Sequence, residues 1–170
     1  MRPVLHALFL VPLLMFSCNT SGDSALGDSA GTDYDFWVSL EKAQEQAYDQ
    51  GKHIVLDVYT EWCGFCRRMN TETYGDEGVQ QALVRYFQPV RINAESDREV
   101  TFLDETYSMR ELALQFGVGS YPTTIFISPN GEPIAVQSGY IEAHEFRQML
   151  TFVGSESYQS VSFQEYKNSN

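Results

Sequence analysis

Two cysteines separated by two residues, in Trp62-Cys63-Gly64-Phe65-Cys66, are the side chains of this sequence best placed to do chemistry. They follow a nearly continuous apolar run, His53-Ile54-Val55-Leu56-Asp57-Val58-Tyr59, and open a segment that reads as helix, so the first sulfur falls at a helix N-terminus. Exposed N–H groups and the positive end of the peptide dipoles favour a thiolate there, which lowers the thiol pKa and populates the nucleophilic form. Cys63 is therefore the expected attacking thiol. The spacing brings Cys66 within bonding range in the first helical turn, where it can attack a mixed disulfide at Cys63 and release the product. Cys66 is the expected resolving thiol. Such a pair is also half of a zinc site, but beyond the N-terminal segment the sequence has only His53 and His144, far apart, and no second cysteine pair. Covalent haem requires a histidine after the second cysteine, and Arg67 stands there. A purely structural disulfide stays open as a reading, although closing so short a loop constrains the unfolded chain little.

Asp57 interrupts the apolar run, with Val55 and Tyr59 on its own face. Pointing inward, its carboxyl would be pushed up in pKa by burial and could exchange a proton near neutral pH. The bland alternative is a strand aspartate turned to solvent at a local edge.

These residues need a frame, and the sequence supplies one. Trp37, Leu40, Ala43, Gln44 and Ala47 recur at helical spacing until Gly51 ends the pattern. His53 to Tyr59 then reads as a strand buried on both faces in a parallel sheet. Helical segments are expected at Cys63 to Thr73 and at Val79 to Phe87, where Val79, Leu83 and Phe87 share a face. Pro89 to Asn93 is a second strand, Val100 to Tyr107 a short hairpin, and Met109 to Phe116 a helix closed by Gly117. Thr123-Thr124-Ile125-Phe126-Ile127 and Ile134-Ala135-Val136 flank Ser128-Pro129-Asn130-Gly131, whose Asn-Gly is a strong hairpin signal. Glu142 to Phe152 supplies the last helix. Beyond it, Tyr158 to Tyr166, with Val161 and Phe163, is expected to pack back on the domain, with a partner-binding tail as the sharper alternative. The order of elements implies an α/β sandwich with a mixed sheet and helices on both faces.

Within this frame Asp57-Val58-Tyr59-Thr60-Glu61-Trp62-Cys63-Gly64-Phe65-Cys66 and Tyr121-Pro122-Thr123 resemble the thioredoxin superfamily, over nearly all of Tyr34 to Val153. Arg67-Arg68-Met69, the Met109-Arg110-Glu111-Leu112-Ala113 segment before Gly117-Val118, and Gly139-Tyr140 resemble more closely the exported thioredoxin-like proteins that include the DsbD C-terminal domain and SoxW-type proteins. The resemblance implies a three-layer α/β/α thioredoxin fold with a mixed central sheet. It also implies that Asp57 is the buried acid that takes the proton of the resolving thiol. Arg91 matches in position the lysine of the family's next strand, either pairing with Asp57 and lowering its pKa or lying in solvent. The Tyr121–Pro122 bond is implied to be cis, with the backbone of Tyr121 binding an extended substrate segment. Trp62, Gly64 and Phe65 would line the same substrate face, with partial core burial the alternative for Trp62 and a core position that for Tyr121. Phe65 replaces the proline of the family's Cys-Gly-Pro-Cys, which leaves the redox poise open. No histidine lies between the cysteines, and this leans the reading toward reduction or isomerisation. His144 reads as a helix-surface residue and His53 as a strand start, neither with a catalytic role.

The N-terminus reads as an address. Arg2 precedes the apolar run Val4 to Phe16, about as long as a signal-peptide core and short of the roughly 20 residues of a spanning helix. Residues 1–17 are expected to be a signal peptide, and residues 18–33 a lipid-anchor cysteine, Cys18, with a Ser-, Gly- and Asp-rich tether. The arrangement resembles a bacterial lipoprotein, although Met15 and Phe16 depart from the usual cleavage motif, and simple signal cleavage is the alternative. Residues 34–170 form the working domain, outside the cytoplasm, where disulfides persist. With 170 residues, 43% of them hydrophobic, one domain with an ordinary core is expected. A net charge of −12 repels a phosphate backbone and argues against nucleic acid. The expected activity is extracytoplasmic thiol–disulfide exchange, reducing disulfides of exported proteins through Cys63 and Cys66, with no metal or organic cofactor. A membrane thiol relay is the expected electron donor. The alternatives are a disulfide oxidase or isomerase, and a binding module that uses the fold without turnover.

Overall fold

The computed structural model describes residues 34–169; Cys18, the expected signal segment and the tether lie outside the described residues. Strand β1, His53–Tyr59, is buried at every position, as its uninterrupted apolar run requires of a central strand. It pairs in parallel with β2, Phe87–Asn93, and antiparallel with β5, Thr123–Ile127; β6, Pro133–Ser138, completes the order β2-β1-β5-β6. A separate hairpin joins β3, Glu99–Phe102, to β4, Glu105–Ser108, as the weak alternation there predicts.

Alternate residues of β1 feed two cores. Ile54, Leu56 and Val58 pack with Leu40, Ala43 and Ala47 of helix α1, Leu40–Gln50, and with Leu112 and Ala113 of α4, Met109–Gln115. Val55 faces the other side, with Met69, with Val79 and Leu83 of α3, Glu77–Tyr86, and with Phe146, Leu150 and Val153 of α5, Ala143–Gly154. The result is the three-layer α/β/α sandwich expected. Helix ends follow local chemistry: the Ser39 and Asp76 side chains accept N–H groups at the starts of α1 and α3, Ser108 and Glu111 form a capping box on α4, and Gly51 ends α1 at φ 64°. A side chain on Gly154 would collide with Tyr86, so glycine permits the close approach of α5 to α3.

The structure corrects four sequence assignments. Trp37 precedes α1 and packs on the opposite face of the sheet, against Tyr74, because the helix does not start until the Ser39 cap. Phe87 is the first residue of β2, paired with His53; its helical spacing from Leu83 arises because helix and strand meet without a linker. The helix expected at Cys63 to Thr73 divides into α2, Gly64–Arg68, and a π turn, Met69–Thr73. Glu142 to Phe152 is not the last helix: a 3₁₀ turn at Ser157–Gln159 leads to α6, Phe163–Ser169. Phe163 and Tyr166 of α6 pack on Phe152, so the terminal stretch does return to the domain. Among the described residues no helix is long and apolar enough to cross a membrane.

Candidate active site

Cys63 and Cys66 are joined as a disulfide, with Cα atoms 5.2 Å apart. The pair sits where β1 gives way to α2, because a loop of Thr60 to Trp62 carries the chain directly from the end of the strand to the helix. Cys63 is the N-cap of α2: its backbone is extended, and its Sγ accepts the Cys66 N–H at 3.0 Å. The capping bond and the helix end both favour negative charge on this sulfur once the disulfide opens. Both cysteines are buried, in contact with Tyr59 and Tyr121. The Tyr121–Pro122 peptide is cis.

The rim of the site is aromatic. Trp62 is 65% exposed and Phe65 61%. Trp62 is nevertheless fixed, since its indole donates to Glu95 Oε1 at 2.9 Å and meets the Tyr121 ring edge-on with centroids 6.0 Å apart. Gly64 follows Cys63 in the first turn of α2, and a side chain there would meet little beyond the Arg67 guanidinium. Arg67 turns back to the Glu61 carbonyl at 2.9 Å. Arg68 stacks over Tyr140 and pairs with Glu72 at 2.8 Å, and the Tyr140 hydroxyl donates to the same carboxylate.

Within β1, Asp57 is turned fully inward, not to solvent. It lies on the same face of β1 as Tyr59, which touches the cysteine pair. The sheet register sets Arg91 of β2 and Thr124 of β5 directly beside it. Arg91 is paired rather than solvated: its Nε donates to Asp57 Oδ2 at 3.0 Å, and the guanidinium lies over the rings of Tyr59 and Trp37 at 4.3 and 5.3 Å. Burial raises the Asp57 carboxyl above the usual carboxylate range, and the Arg91 charge offsets only part of that rise. Pairing therefore moderates the shift without reversing its sign. Tyr74, at the end of the π turn, is the further residue of this cluster; burial and then the Asp57 charge push its phenol well above the tyrosine range.

Of the side chains singled out in the sequence, Cys63, Cys66 and Tyr121 converge at the C-terminal end of β1, with Trp62 against Tyr121, while Asp57 lies two residues before that end, paired with Arg91. His53 begins β1 at its far end, buried against Phe87 and Tyr158, and burial lowers its pKa. His144 is on the surface of α5 beside Arg147. Sequence reasoning missed Tyr74, Thr124 and Glu95. Thr124 meets Asp57 through the antiparallel pairing of β5 with β1 and Tyr74 follows a π turn that breaks helical spacing, so neither they nor Glu95 carries a local signal. Among the described residues no group of three or more His, Cys, Asp or Glu side chains is arranged to hold a metal ion.

A helix-capped Cys-x-x-Cys disulfide, at the end of the central strand of a mixed four-stranded sheet and beside a cis-proline, defines the class of thiol–disulfide oxidoreductases. The chain belongs to the thioredoxin-like domain family, whose model matches residues 40–154. It is similar to the thiol:disulfide interchange protein DsbD of Actinobacillus pleuropneumoniae, at 29% identity over 115 residues, which cover 66% of this chain and 18% of that protein. The chain thus spans about a fifth of the length of the curated relatives it matches. Its fold is that of a thioredoxin-fold protein from Helicobacter pylori, with a TM-score of 0.64 at 18% identity over 85% of this chain and 92% of that one. A putative disulphide-isomerase from Bacteroides thetaiotaomicron matches with a TM-score of 0.57 and 27% identity, covering 75% of this chain and 95% of that one.

Proposed function

We propose that this protein is an extracytoplasmic reductase of protein disulfides. The observation that carries the reading is the Cys63–Cys66 pair itself, bonded at a helix N-terminus and ringed by exposed aromatic side chains. In the dithiol form, the Cys63 thiolate attacks one sulfur of a client disulfide. The client S–S bond breaks, its second sulfur leaves with the electron pair and takes a proton from solvent, and Cys63 is left in a mixed disulfide. Cys66 then gives its proton to the Asp57 carboxylate and attacks Cys63 Sγ. The Cys63–Cys66 bond forms, the first client sulfur leaves as a thiolate, and the client has gained two electrons that the pair has lost. A dithiol donor restores the pair by the reverse exchange, and a membrane thiol relay is the class of donor that could deliver electrons outside the cytoplasm. Similarity to a DsbD supports this choice of donor.

The client binds as an extended segment along the backbone of Tyr121 and Pro122, with Trp62, Gly64 and Phe65 covering it. Trp62 acts as a preformed anchor, since its bond to Glu95 removes most of the ordering cost of binding. Residues 1–17 direct export, Cys18 carries the lipid anchor, residues 18–33 tether the domain, and residues 34–170 do the chemistry. The reading is tested by supplying the dithiol form with insulin as client and following precipitation of the freed chains. The expected result is catalytic reduction, with Trp62→Ala raising KM about tenfold and lowering kcat less, as loss of a binding anchor predicts. Absence of turnover by the wild-type dithiol would overturn the reading in favour of a binding module.

A further inference from the structure

Tyr74 leaves the π turn with its N–H bonded to the Met69 carbonyl at 3.0 Å, and its side chain runs into the core on the Val55 face of β1. The ring is held edge-on by Trp37, centroids 4.9 Å apart, and by Phe146 at 5.5 Å. Its hydroxyl and that of Thr124 are buried, and neither has a partner at full hydrogen-bond distance. Phenylalanine would fill the same space without stranding a hydroxyl, and a buried orphan donor is costly. The polar groups that the phenol faces are the Asp57 carboxyl and the Thr124 hydroxyl. A neutral carboxyl can also accept, but the bond from a phenol to a carboxylate is charge-assisted and about twice as strong, so the Tyr74 hydroxyl favours the ionised form of Asp57.

We propose that Tyr74 is a positioning residue for the proton step, its hydroxyl joining Arg91 in holding the Asp57 carboxylate so that it is ready to receive the proton of Cys66. The inference rests on the reading of Asp57 as proton acceptor. The groups packed around the carboxyl support it. Arg91 of β2, with Tyr59 stacked on it, is the cation; the π turn contributes Tyr74, and β5 contributes the non-ionising Thr124. Phe146 of α5 and Trp37 enclose the phenol without ionising. A donor that stabilises the charged form counteracts burial, so its removal leaves Asp57 protonated to higher pH and unable to accept.

The test is a stopped-flow reaction of the dithiol protein with dithiobis-nitrobenzoate across pH. The first nitrothiobenzoate released reports attack by Cys63, and the second reports resolution by Cys66. In Tyr74→Phe the acidic limb of the second phase should move up by about one pH unit, so the resolving rate on that limb falls about tenfold, while the first phase keeps its profile. Asp57→Asn should abolish the limb. If Tyr74→Phe overlays the wild type while Asp57→Asn loses the limb, the inference fails and the reading of Asp57 stands. If Asp57→Asn keeps the limb, that reading fails and takes the inference with it. Should Tyr74→Phe not fold, Tyr74→Leu carries the test, with the same upward shift expected and an unmoved limb overturning the proposal.

Discussion

Cys63→Ser should lower insulin reduction by at least about a thousandfold, to the rate of the free dithiol in the assay, because an alcohol at this position neither ionises near neutral pH nor forms a disulfide. Cys66→Ser should fail differently. Its Cys63 still attacks, but nothing displaces the client, so a covalent complex accumulates that survives denaturation and disappears on adding reductant. The asymmetry follows from the geometry: Cys63 caps the helix next to the exposed Trp62, whereas Cys66 lies within the helix, its carbonyl accepting the Met69 N–H. Retained turnover in Cys63→Ser, or a trapped complex in that variant in place of Cys66→Ser, would contradict the assignment of roles. Non-reducing electrophoresis of each variant with insulin reads both outcomes.

Arg91→Met should produce the largest loss of stability among changes at the site, up to about 3–5 kcal/mol at neutral pH, because it leaves the Asp57 carboxylate buried without its cation. The side chains of Arg91 and Asp57 are only 14% and 3% exposed, so water cannot replace the guanidinium. The sign of the pH dependence follows from the Asp57 shift. Its folded pKa is raised by burial, so the folded chain binds this proton more tightly than the unfolded chain does. The stability it contributes is full below the unfolded aspartate pKa of about 3.9 and declines as pH rises toward the folded pKa. Removing Arg91 pushes that folded pKa higher still, so the decline extends further and the gap between variant and wild type widens with pH. Urea unfolding of the oxidised protein at pH 4 and pH 7.5 measures the gap. A loss that is equal at both, or absent at pH 7.5, would contradict the account of this pair.

Much of the site could be read from the sequence because its chemistry is local. The bonded cysteines, the helix that begins at the first of them and the strand that precedes it lie within His53 to Arg68, where a run of buried residues and a capping position carry the signal. The direction in which Asp57 points was not local. Alternation along β1 cannot choose a face when both are covered, and only the packing of the π turn, α3 and α5 on one side settles it. Trp37 and Phe87 show the converse difficulty. Each has helical spacing from its neighbours, yet a cap at Ser39 and a ladder pairing with His53 decide where the helices stop. Tyr74 and Thr124 reach Asp57 through a π turn and a strand register, and Glu95 reaches Trp62 across 33 residues of sequence. Contacts of that range leave no periodic trace, which is why these partners escaped the sequence while Asp57 itself did not.

Reduction of other proteins requires Cys63 and Cys66 to exchange reversibly between dithiol and disulfide at a low enough potential. Equilibrating the purified protein in graded dithiol–disulfide buffers and counting the free thiols measures this directly. A two-electron transition with a midpoint near about −270 mV is the predicted result. A midpoint near about −120 mV, or a pair that stays free or bonded across the whole range, would contradict it.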